Sequence, residues 1–299
     1  MGLGTWGLSG DGYGPVDVSE QERVLRRALE MGFTLIDTAD AYGGGRMEHS
    51  IGRAIAGRDD VVVVTKGGTD RATTPARKHF DREYLRAAVD RSRLRLQRDR
   101  IDVYLLHNPT ENVLLAGAAT ETLLELKQEG KIAHWGVSAG DGAVGRAALR
   151  AGAEVIELAY NIVHSAQLHR LAGEVIVSGA GVLARSTLAH GLLTGTWAKN
   201  REFSAADHRA TRWTPSELER RIDQIQYFRF LVKNDVKTLT AAGVRFVLSN
   251  SIVSSAVLGP RSAAQLEDIV RHVGMGPIYL READLAVLPR MLDMAGIAT

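Results

Sequence analysis

The chain has 299 residues, of which 45% are hydrophobic and 24% charged, and its formal net charge is +2. This is the composition of an ordinary soluble globular protein, and a charge so close to neutral gives no reason to expect a nucleic acid partner. The absence of cysteine excludes disulfides, thiolate metal sites and cysteine nucleophiles.

No apolar run approaches the ~18 residues that a membrane-spanning helix needs, so no membrane association is predicted. The first residues contain no basic segment followed by an apolar one, as a secretory signal would. We therefore expect a cytoplasmic protein.

Short apolar runs alternate with amphipathic stretches along the whole chain. Strands are predicted at residues 3–5, 33–37, 61–65, 101–106, 134–138, 155–159, 182–184 and 256–258. The first helix is predicted to begin at a capping box of Ser19 with Glu22 and to end at Gly32. Further helices are predicted at about 47–56, 81–97, 118–129, 142–151, 166–177, 216–248 and from about 262.

Regular strand–helix alternation indicates an α/β protein with parallel strands and right-handed crossovers. Eight such units in a chain of this length favour a closed, eight-stranded (β/α)8 TIM barrel over an open doubly wound sheet. No change of composition marks a domain boundary, so residues 1–299 are predicted to form a single domain. The stretch 187–215 is too long for a simple connection and is predicted to be a loop over the active site.

The stretch 82–100 is rich in arginine, but acidic residues interleave with the basic ones. Leu85, Val89, Ser92 and Leu96 fall on one face of a helix, which leaves most arginines on the other. A solvated helix face explains this pattern better than a nucleic-acid interface.

A glycine motif at residues 2–7 matches the G-x-G-x-x-G fingerprint of dinucleotide-binding sheets. That fingerprint requires a preceding strand and a following helix, whose N-terminus holds the pyrophosphate. Residues 9–14 are too rich in glycine to form that helix, and Pro15 follows them. Glycines that permit close backbone approach in a first barrel strand explain the match better.

Three neighbouring strands end in ionisable residues, namely Asp37, Lys66 and His107, and Tyr42 follows the first of them. Barrel enzymes place their active sites at this end of the strands. A lysine at the edge of a dry interior needs an anionic partner, which Asp37 can supply, so a structural salt bridge is one reading of the pair. Tyr42 favours a second interpretation of these residues, because a lysine cation lowers the pKa of a phenol and makes it a better proton donor.

The segment 32–45, followed by Glu48, Ile51 and Gly52, resembles the signature of the aldo-keto reductases. The segments 64–66, 105–107, 136–138, 191–195 and 258–262, with Gln265, resemble the same family in the same order. The family's usual N-terminal hairpin is not expected here, since the first strand is predicted almost at residue 2.

The resemblance implies reduction of an aldehyde or ketone by NADPH without a metal. Hydride would pass from the nicotinamide to the carbonyl carbon, and Tyr42 would protonate the oxygen. Lys66 and Asp37 would tune Tyr42, while His107 would orient the carbonyl. No partner other than the small carbonyl substrate is implied.

The resemblance also implies the cofactor site. Arg261 would hold the 2′-phosphate of NADPH, and Trp6 would form a wall of the substrate pocket. The implied cofactor-binding residues are Thr5, Trp6, Asp37, Ser138, Glu157, Arg185, Ser186, Leu188, Gly191, Leu193, Gly259, Arg261, Gln265 and Asp268.

Four positions depart from the pattern of the family. Ala139 follows Ser138 where asparagine is common, and Ile269 replaces an asparagine that contacts adenine. Glu157 replaces a glutamine, and a carboxylate can accept a hydrogen bond from the carboxamide NH₂ but cannot donate one to its oxygen. Arg185 occupies the position, often aromatic, that stacks on the nicotinamide.

Two other functions stay open at this stage. A non-catalytic barrel could bind NADP(H) as a sensor or auxiliary subunit, and a class I aldolase could use Lys66 as a Schiff-base nucleophile. The histidines His134, His164, His169, His190 and His208 form no metal-ligand pattern, and His190 is the one expected nearest the cofactor. The carbonyl substrate and the oligomeric state are undetermined by the sequence.

Overall fold

A computed structural model describes residues 1–70, 76–274 and 279–297. Eight parallel strands close into a barrel in the order β1-β10-β9-β8-β7-β6-β3-β2, and β4 and β5 form a small antiparallel hairpin. The strands are β1 Gly2–Gly4, β2 Leu35–Asp37, β3 Val62–Gly67, β4 Thr69–Asp70, β5 Arg77–Lys78, β6 Ile101–His107, β7 Ile132–Ser138, β8 Val155–Ala159, β9 Gly181–Arg185 and β10 Ser255–Leu258. The predicted eight-stranded (β/α)8 barrel is confirmed.

Helices surround the barrel and follow most of its strands. They are α1 Val18–Glu30, α2 Arg46–Ala54, α3 Arg82–Leu96, α4 Glu111–Leu115, α5 Ala118–Gln128, α6 Gly142–Arg150, α7 Ala166–Ser178, α8 Pro215–Gln226, α9 Leu239–Leu248, α10 Ala263–Val273 and α11 Glu282–Met294. Across the three described stretches, no helix has both the length and the apolar character needed to cross a membrane.

The interior of the barrel is a small apolar cluster, separate from the larger core between strands and helices. Val64, Val103, Leu105, Leu183 and Val257 form it, and their strands approach closely. Glycine permits this approach in β1, because a Cβ on Gly4 would lie 2.8 Å from a methyl group of Val257. The glycine motif therefore belongs to the first barrel strand, as predicted.

Several local expectations differ from the structure. Helix α1 begins one residue after Asp17, with no side-chain cap, so the predicted capping box of Ser19 with Glu22 is wrong. Both residues already lie inside the helix, and Glu22 instead accepts a hydrogen bond of 3.1 Å from Arg53. The capping box that does form joins Thr214 and Glu217 at the start of α8.

The long predicted helix at 216–248 is also wrong. It is two helices, α8 and α9, separated by a 3₁₀ turn and by Asn234 in a left-handed conformation. Helices α4 and α11 and the β4–β5 hairpin lie outside the predicted elements, because they are short or lack a clear apolar period.

The arginine-rich helix α3 buries the predicted face, including Leu85, Val89, Ser92 and Leu96. Its arginines face acids on neighbouring elements; Arg86, for example, lies 2.7 Å from Glu129. The interleaved charges of the sequence thus correspond to ion pairs around the outside of the barrel.

Candidate active site

The barrel mouth owes its polar lining to the two-residue period of the strands. Side chains two positions apart on a strand point to the same side. On five strands, the residue two positions after an apolar side chain of the barrel interior, or after an apolar side chain packed against that interior, is ionisable. These five residues are Asp37, Lys66, His107, Glu157 and Arg185. Parallel strands end at one opening, so these five side chains converge there.

Lys66 is the centre of a buried ion cluster. Its side chain is 1% exposed, and its Nζ donates to a carboxylate oxygen of Asp37 and, at 3.0 Å, to the carbonyl oxygen of Thr38. The carboxylate of Glu157 lies 3.3 Å from the same Nζ. One cation therefore faces two carboxylates in surroundings from which water is excluded, where removing any single charge is costly.

Tyr42 and His107 lie beside this cluster. The Tyr42 ring centroid is 5.7 Å from Lys66 Nζ and 5.9 Å from the His107 ring centroid, and the two rings meet edge to face at 82°. Tyr42 starts a 3₁₀ turn in which Gly43 has a φ of +60°, a conformation that glycine adopts without strain. Asp11 holds this turn by accepting a hydrogen bond of 2.6 Å from the Gly43 amide.

Burial controls the protonation of both rings. It raises the pKa of Tyr42 above its usual value in spite of the opposing charge of Lys66. The sequence predicts a lowered pKa for Tyr42 instead, because it reveals the charge of the lysine but not the loss of water around the phenol. Burial, followed by the cations Lys66 and Lys78, lowers the pKa of His107 well below its usual value. At neutral pH the phenol is protonated and the imidazole is uncharged.

The protonation of Asp37 and of Lys66 depends on the charges of the whole cluster. Burial and the nearby Glu157 raise the pKa of Asp37 to about 7, although Lys66 opposes this shift. Burial alone would lower the pKa of Lys66, but the charges of Asp37 and Glu157 together raise it. Lys66 therefore stays cationic at neutral pH.

Ser138 and Arg185 flank Glu157 at the ends of β7 and β9. Ser138 is paired in register with His107 on one side and with Glu157 on the other. Arg185 donates from Nη2 to the carbonyl oxygen of Ala139 at 3.0 Å. The sequence predicts Glu157 only as a contact of the cofactor. The position of Glu157 at 3.3 Å from Lys66 is a result of the closure of the barrel.

The predicted cofactor residues after β10 form one compact turn. The Arg261 amide donates to Gln265 Oε1 at 2.9 Å, and Arg261 Nη2 donates to the carbonyl oxygens of Gly14 and Pro15 at 3.0 and 3.2 Å. Within the described ranges Arg261 Nε is buried and has no hydrogen-bond partner. A Cβ on Gly259 would meet no atom within 4 Å, so the space above this turn is open.

An acid that the sequence does not single out lies at the same turn. Glu20 on α1 accepts a hydrogen bond of 2.8 Å from the amide of Ala263, the first residue of α10. It also forms an ion pair of 3.0 Å with Arg23. Asp268 lies one helical turn beyond Gln265, and its carboxylate is 3.3 Å from His272.

The loop after β9 is held together by its own backbone hydrogen bonds, since the amides of Ala189 and Gly191 donate to the carbonyl oxygens of Ser186 and Leu188 at 2.8 and 2.9 Å. Ser186 has a φ of +56° and accepts a hydrogen bond of 2.8 Å from Asn161 through its carbonyl oxygen. Leu193 is fully buried and its amide donates to the carbonyl oxygen of Leu188 at 3.2 Å, while the Leu188 side chain packs on the core. A Cβ on Gly191 would lie 2.8 Å from Trp197.

The stretch 187–215 is anchored to the loop after β1. The His208 amide donates to the carbonyl oxygen of Gly12 at 2.8 Å, and the His208 ring packs on Trp6 and Tyr13, at centroid distances of 4.9 and 4.8 Å. Trp6 is thereby held against this stretch. Thr5 is fully buried, and its hydroxyl donates a hydrogen bond of 2.9 Å to the carbonyl oxygen of Asp37. It therefore holds the backbone of the strand that carries Asp37.

His134 and His169 have separate surroundings, whereas His190 packs on His208 at a ring-centroid distance of 5.3 Å. His134 lies 3.1 Å from Glu154, and His169 lies 3.0 Å from the Tyr160 hydroxyl. His190 lies 3.3 Å from the Tyr13 hydroxyl. Residues 1–70, 76–274 and 279–297 contain no group of three or more histidine, aspartate and glutamate side chains that could hold a metal ion.

Comparison with known proteins agrees with this arrangement. A family model described as Aldo/keto reductase family matches residues 1–277. The chain is 30% identical to aldo-keto reductase YhdN of Bacillus subtilis over 282 residues, which cover 92% of this chain and 85% of that protein. It is also 30% identical to an NADH-specific methylglyoxal reductase of Escherichia coli, covering 98% and 94% of the two chains.

A solved structure supports the same assignment. The glycerol dehydrogenase of Gluconobacter oxydans superimposes with a TM-score of 0.85 at 26% identity, covering 100% of this chain and 92% of that one. The chain therefore belongs to the aldo/keto reductase family, as the signature at residues 32–45 predicts.

Proposed function

Starting from membership of this oxidoreductase family, we propose that the protein reduces an aldehyde or ketone to the alcohol with NADPH, and that Tyr42 donates the proton. The observation that carries the proposal is the convergence of Tyr42 and His107 on the buried pair of Lys66 and Asp37. A structural salt bridge alone would not require a phenol and a neutral imidazole at the same opening.

The side chains divide the work of proton transfer. Neutral His107 can donate one hydrogen bond to the carbonyl oxygen and so orient it. Tyr42 keeps its proton at neutral pH and releases it when the oxygen becomes a strongly basic alkoxide. Lys66 then compensates the phenolate charge, and Asp37 holds Lys66 in place. When bound, the nicotinamide cofactor supplies the hydride.

The mouth offers groups that fit a nicotinamide. Glu157 Oε2 is buried and lies 3.3 Å from Lys66 Nζ as an ion pair, but it makes no hydrogen bond in the part of the chain that the structure describes. A carboxamide NH₂ could satisfy it, with Ser138 beside it as a second contact. Arg185, at the end of the neighbouring strand, would face the nicotinamide ring. The stretch 187–215 would close over the bound cofactor, since it already joins the loop after β1.

The direct test is an assay of purified protein with a panel of aldehydes and ketones, following the absorbance of the reduced nicotinamide. Turnover of at least one carbonyl supports the proposal. Cofactor binding with no turnover of any carbonyl would favour a non-catalytic NADP(H)-binding barrel. Borohydride trapping of a carbonyl on Lys66 would instead favour an aldolase.

Arg261 is the basis for proposing NADPH rather than NADH. Its buried Nε has no hydrogen-bond partner among the residues that the structure describes, and a guanidinium binds a phosphate through charge-assisted hydrogen bonds. Arg261→Ala should weaken NADPH binding by ~10-fold or more and NADH binding much less, as expected for one lost charge-assisted contact. Titration of tryptophan fluorescence with each cofactor measures both. Equal weakening of the two would remove Arg261 from the phosphate site.

Glu20 should act in the opposite direction. Its carboxylate is hydrogen-bonded to the first amide of α10, beside Arg261, where it would repel a 2′-phosphate. Glu20→Gln should therefore tighten NADPH binding by ~2- to 10-fold, since charge interactions at a helix N-terminus are of this order, and should leave NADH binding unchanged. Glu22→Gln, on the exposed side of the same helix, is the matched control. A Glu20→Gln variant with unaltered cofactor preference would place the phosphate elsewhere.

A further inference from the structure

A second cavity, of about 90 Å³, opens between the loop after β8, the loop after β9 and helix α8. Its charged or titratable lining residues are His164, His190, Arg212 and Arg221, and no acid is among its lining residues. The volume is far below the ~300 Å³ of a cavity that encloses a whole small-molecule ligand. It is suited to one charged group of a larger molecule.

The two arginines of this cavity lack anionic partners. Within the described ranges, neither Arg212 nor Arg221 has a carboxylate at ion-pair distance. Arg212 lies 5.4 Å from the Trp213 ring centroid, and Arg221 donates to the neutral Gln224 side chain at 3.1 Å. Burial, with Arg185 and Arg221 as like charges, lowers the pKa of Arg212. The cavity is thus lined by two guanidinium groups that form no ion pair with any described carboxylate.

The neighbouring acids are already engaged. Glu217, one turn before Arg221 on α8, accepts hydrogen bonds from the amide and hydroxyl of Thr214 at 2.8 and 2.9 Å. Asp207 forms a two-pronged ion pair with Arg209. Within the described ranges neither carboxylate lies at ion-pair distance from Arg212 or Arg221.

His190 lines the cavity, and His208 packs against His190. Burial, followed by the charges of Arg212 and His208, lowers the pKa of His190 to about 3, so its ring is neutral and available for hydrogen bonding. His208 packs on His190 at a centroid distance of 5.3 Å. Among the described residues, His208 Nε2 is buried without a hydrogen-bond partner.

Arg185 connects this cavity to the mouth. It lies five positions before His190 on the same loop, and its charge acts on both His190 and Arg212. The same charge acts on Tyr42 and His107. Packed rings also join the cavity to Trp6 on the loop after β1, since the His208 ring centroid lies 4.9 Å from that of Trp6 and 5.3 Å from that of His190.

We propose that the cavity formed by His164, His190, Arg212 and Arg221 binds an anionic group, a carboxylate or a phosphate, at the far end of the carbonyl substrate. This inference rests on the proposed reductase function and narrows its substrate class to negatively charged aldehydes and ketones. Arginine suits this task because its planar guanidinium matches both oxyanions.

The test compares matched pairs of substrates. Succinic semialdehyde is compared with butanal for the carboxylate, and glyceraldehyde 3-phosphate with glyceraldehyde for the phosphate. The anionic member of at least one pair should have a kcat/KM ~10-fold or more above its neutral partner, as expected for a charge-assisted contact. The pair with the larger ratio identifies the anion.

Variants separate the cavity from general surface charge. Arg212→Gln and Arg221→Gln should each raise KM for the anionic substrate by ~10-fold or more and leave kinetics with the neutral one unchanged. Arg220→Gln removes the same charge from the adjacent, exposed position of α8 and should change neither. If the three variants behave alike, or if neutral carbonyls are preferred, the proposal is overturned.

A binding measurement is independent of turnover. Trp213 lines the cavity, so titration of the protein with glycerol 3-phosphate and with succinate should change its fluorescence, and Arg212→Gln should abolish the change. Saturable binding lost in that variant supports the subsite even if no carbonyl is reduced, in which case only the proposed reductase function fails. Absence of binding, together with turnover of neutral carbonyls, overturns the subsite and leaves the reductase function standing.

Discussion

Tyr42→Phe should lower kcat by ~10²- to 10⁴-fold, the usual contribution of a positioned general acid. The substitution removes one hydroxyl and keeps the ring that lies 5.9 Å from His107, so cofactor binding should persist. Steady-state kinetics with any accepted carbonyl, together with a fluorescence titration of the cofactor, measures both properties on one preparation.

Tyr84→Phe is the matched control for this experiment. Tyr84 lies on α3, outside the barrel, where its ring stacks on His79 at 5.3 Å. The same loss of a hydroxyl there should leave turnover unchanged. If Tyr42→Phe retains wild-type turnover, Tyr42 is not the proton donor, and the mechanism proposed for this site is wrong.

Lys66→Met should destabilise the protein by ~3–5 kcal/mol, the cost of breaking a buried ion pair by removing one partner. Asp37 and Glu157 both depend on this lysine for their compensating charge. The free energy of unfolding in urea at pH 7 measures the loss. Turnover should be lost as well, since the cation that lies 5.7 Å from the Tyr42 ring centroid and stabilises the phenolate is removed.

A surface lysine provides the control. Lys127 forms a 2.7 Å ion pair with Glu154, and its side chain is 37% exposed. Lys127→Met should cost no more than ~1 kcal/mol, as solvent-exposed pairs usually do. Adding Asp37→Asn to Lys66→Met should recover part of the lost stability, because one unpaired carboxylate is removed. Similar losses for Lys66→Met and Lys127→Met would contradict the buried charge cluster.

The destabilisation should depend on pH. Burial and Glu157 already raise the folded-state pKa of Asp37 to about 7, and without the opposing charge of Lys66 it should rise further above its unfolded value of ~4. Between the unfolded and folded pKa values the native state binds more protons, so stability falls as pH rises and returns as pH falls. Lowering the pH from 7 toward 4 should therefore narrow the gap between Lys66→Met and the wild type.

The barrel and the predicted catalytic residues were accessible from the sequence because both depend on local patterns. Each strand is a short apolar run, and the two-residue period places Asp37, Lys66 and His107 on the interior side at the ends of their strands. Tyr42 follows the first of these strand ends, and the family resemblance then implied its role as the proton donor. None of these inferences needs the distance between residues remote in the chain.

Local sequence patterns gave wrong predictions at the start of α1 and between α8 and α9. Ser19 and Glu22 have the spacing of a capping box, but the chain enters α1 earlier, and packing of the helix decides its first residue. The helical pattern of 216–248 continues through residues that the structure uses to turn the chain between α8 and α9.

The sequence by itself determined the fold, the family and which residue types meet at the barrel mouth. Only the tertiary structure decided their electrostatics. Closure of the barrel brings Glu157 to Lys66, burial reverses the expected shift of the Tyr42 pKa, and docking of α1 on α10 places Glu20 beside Arg261. The physical reason is that solvent exclusion and charge–charge distance depend on contacts between distant segments, which no local pattern of residues encodes.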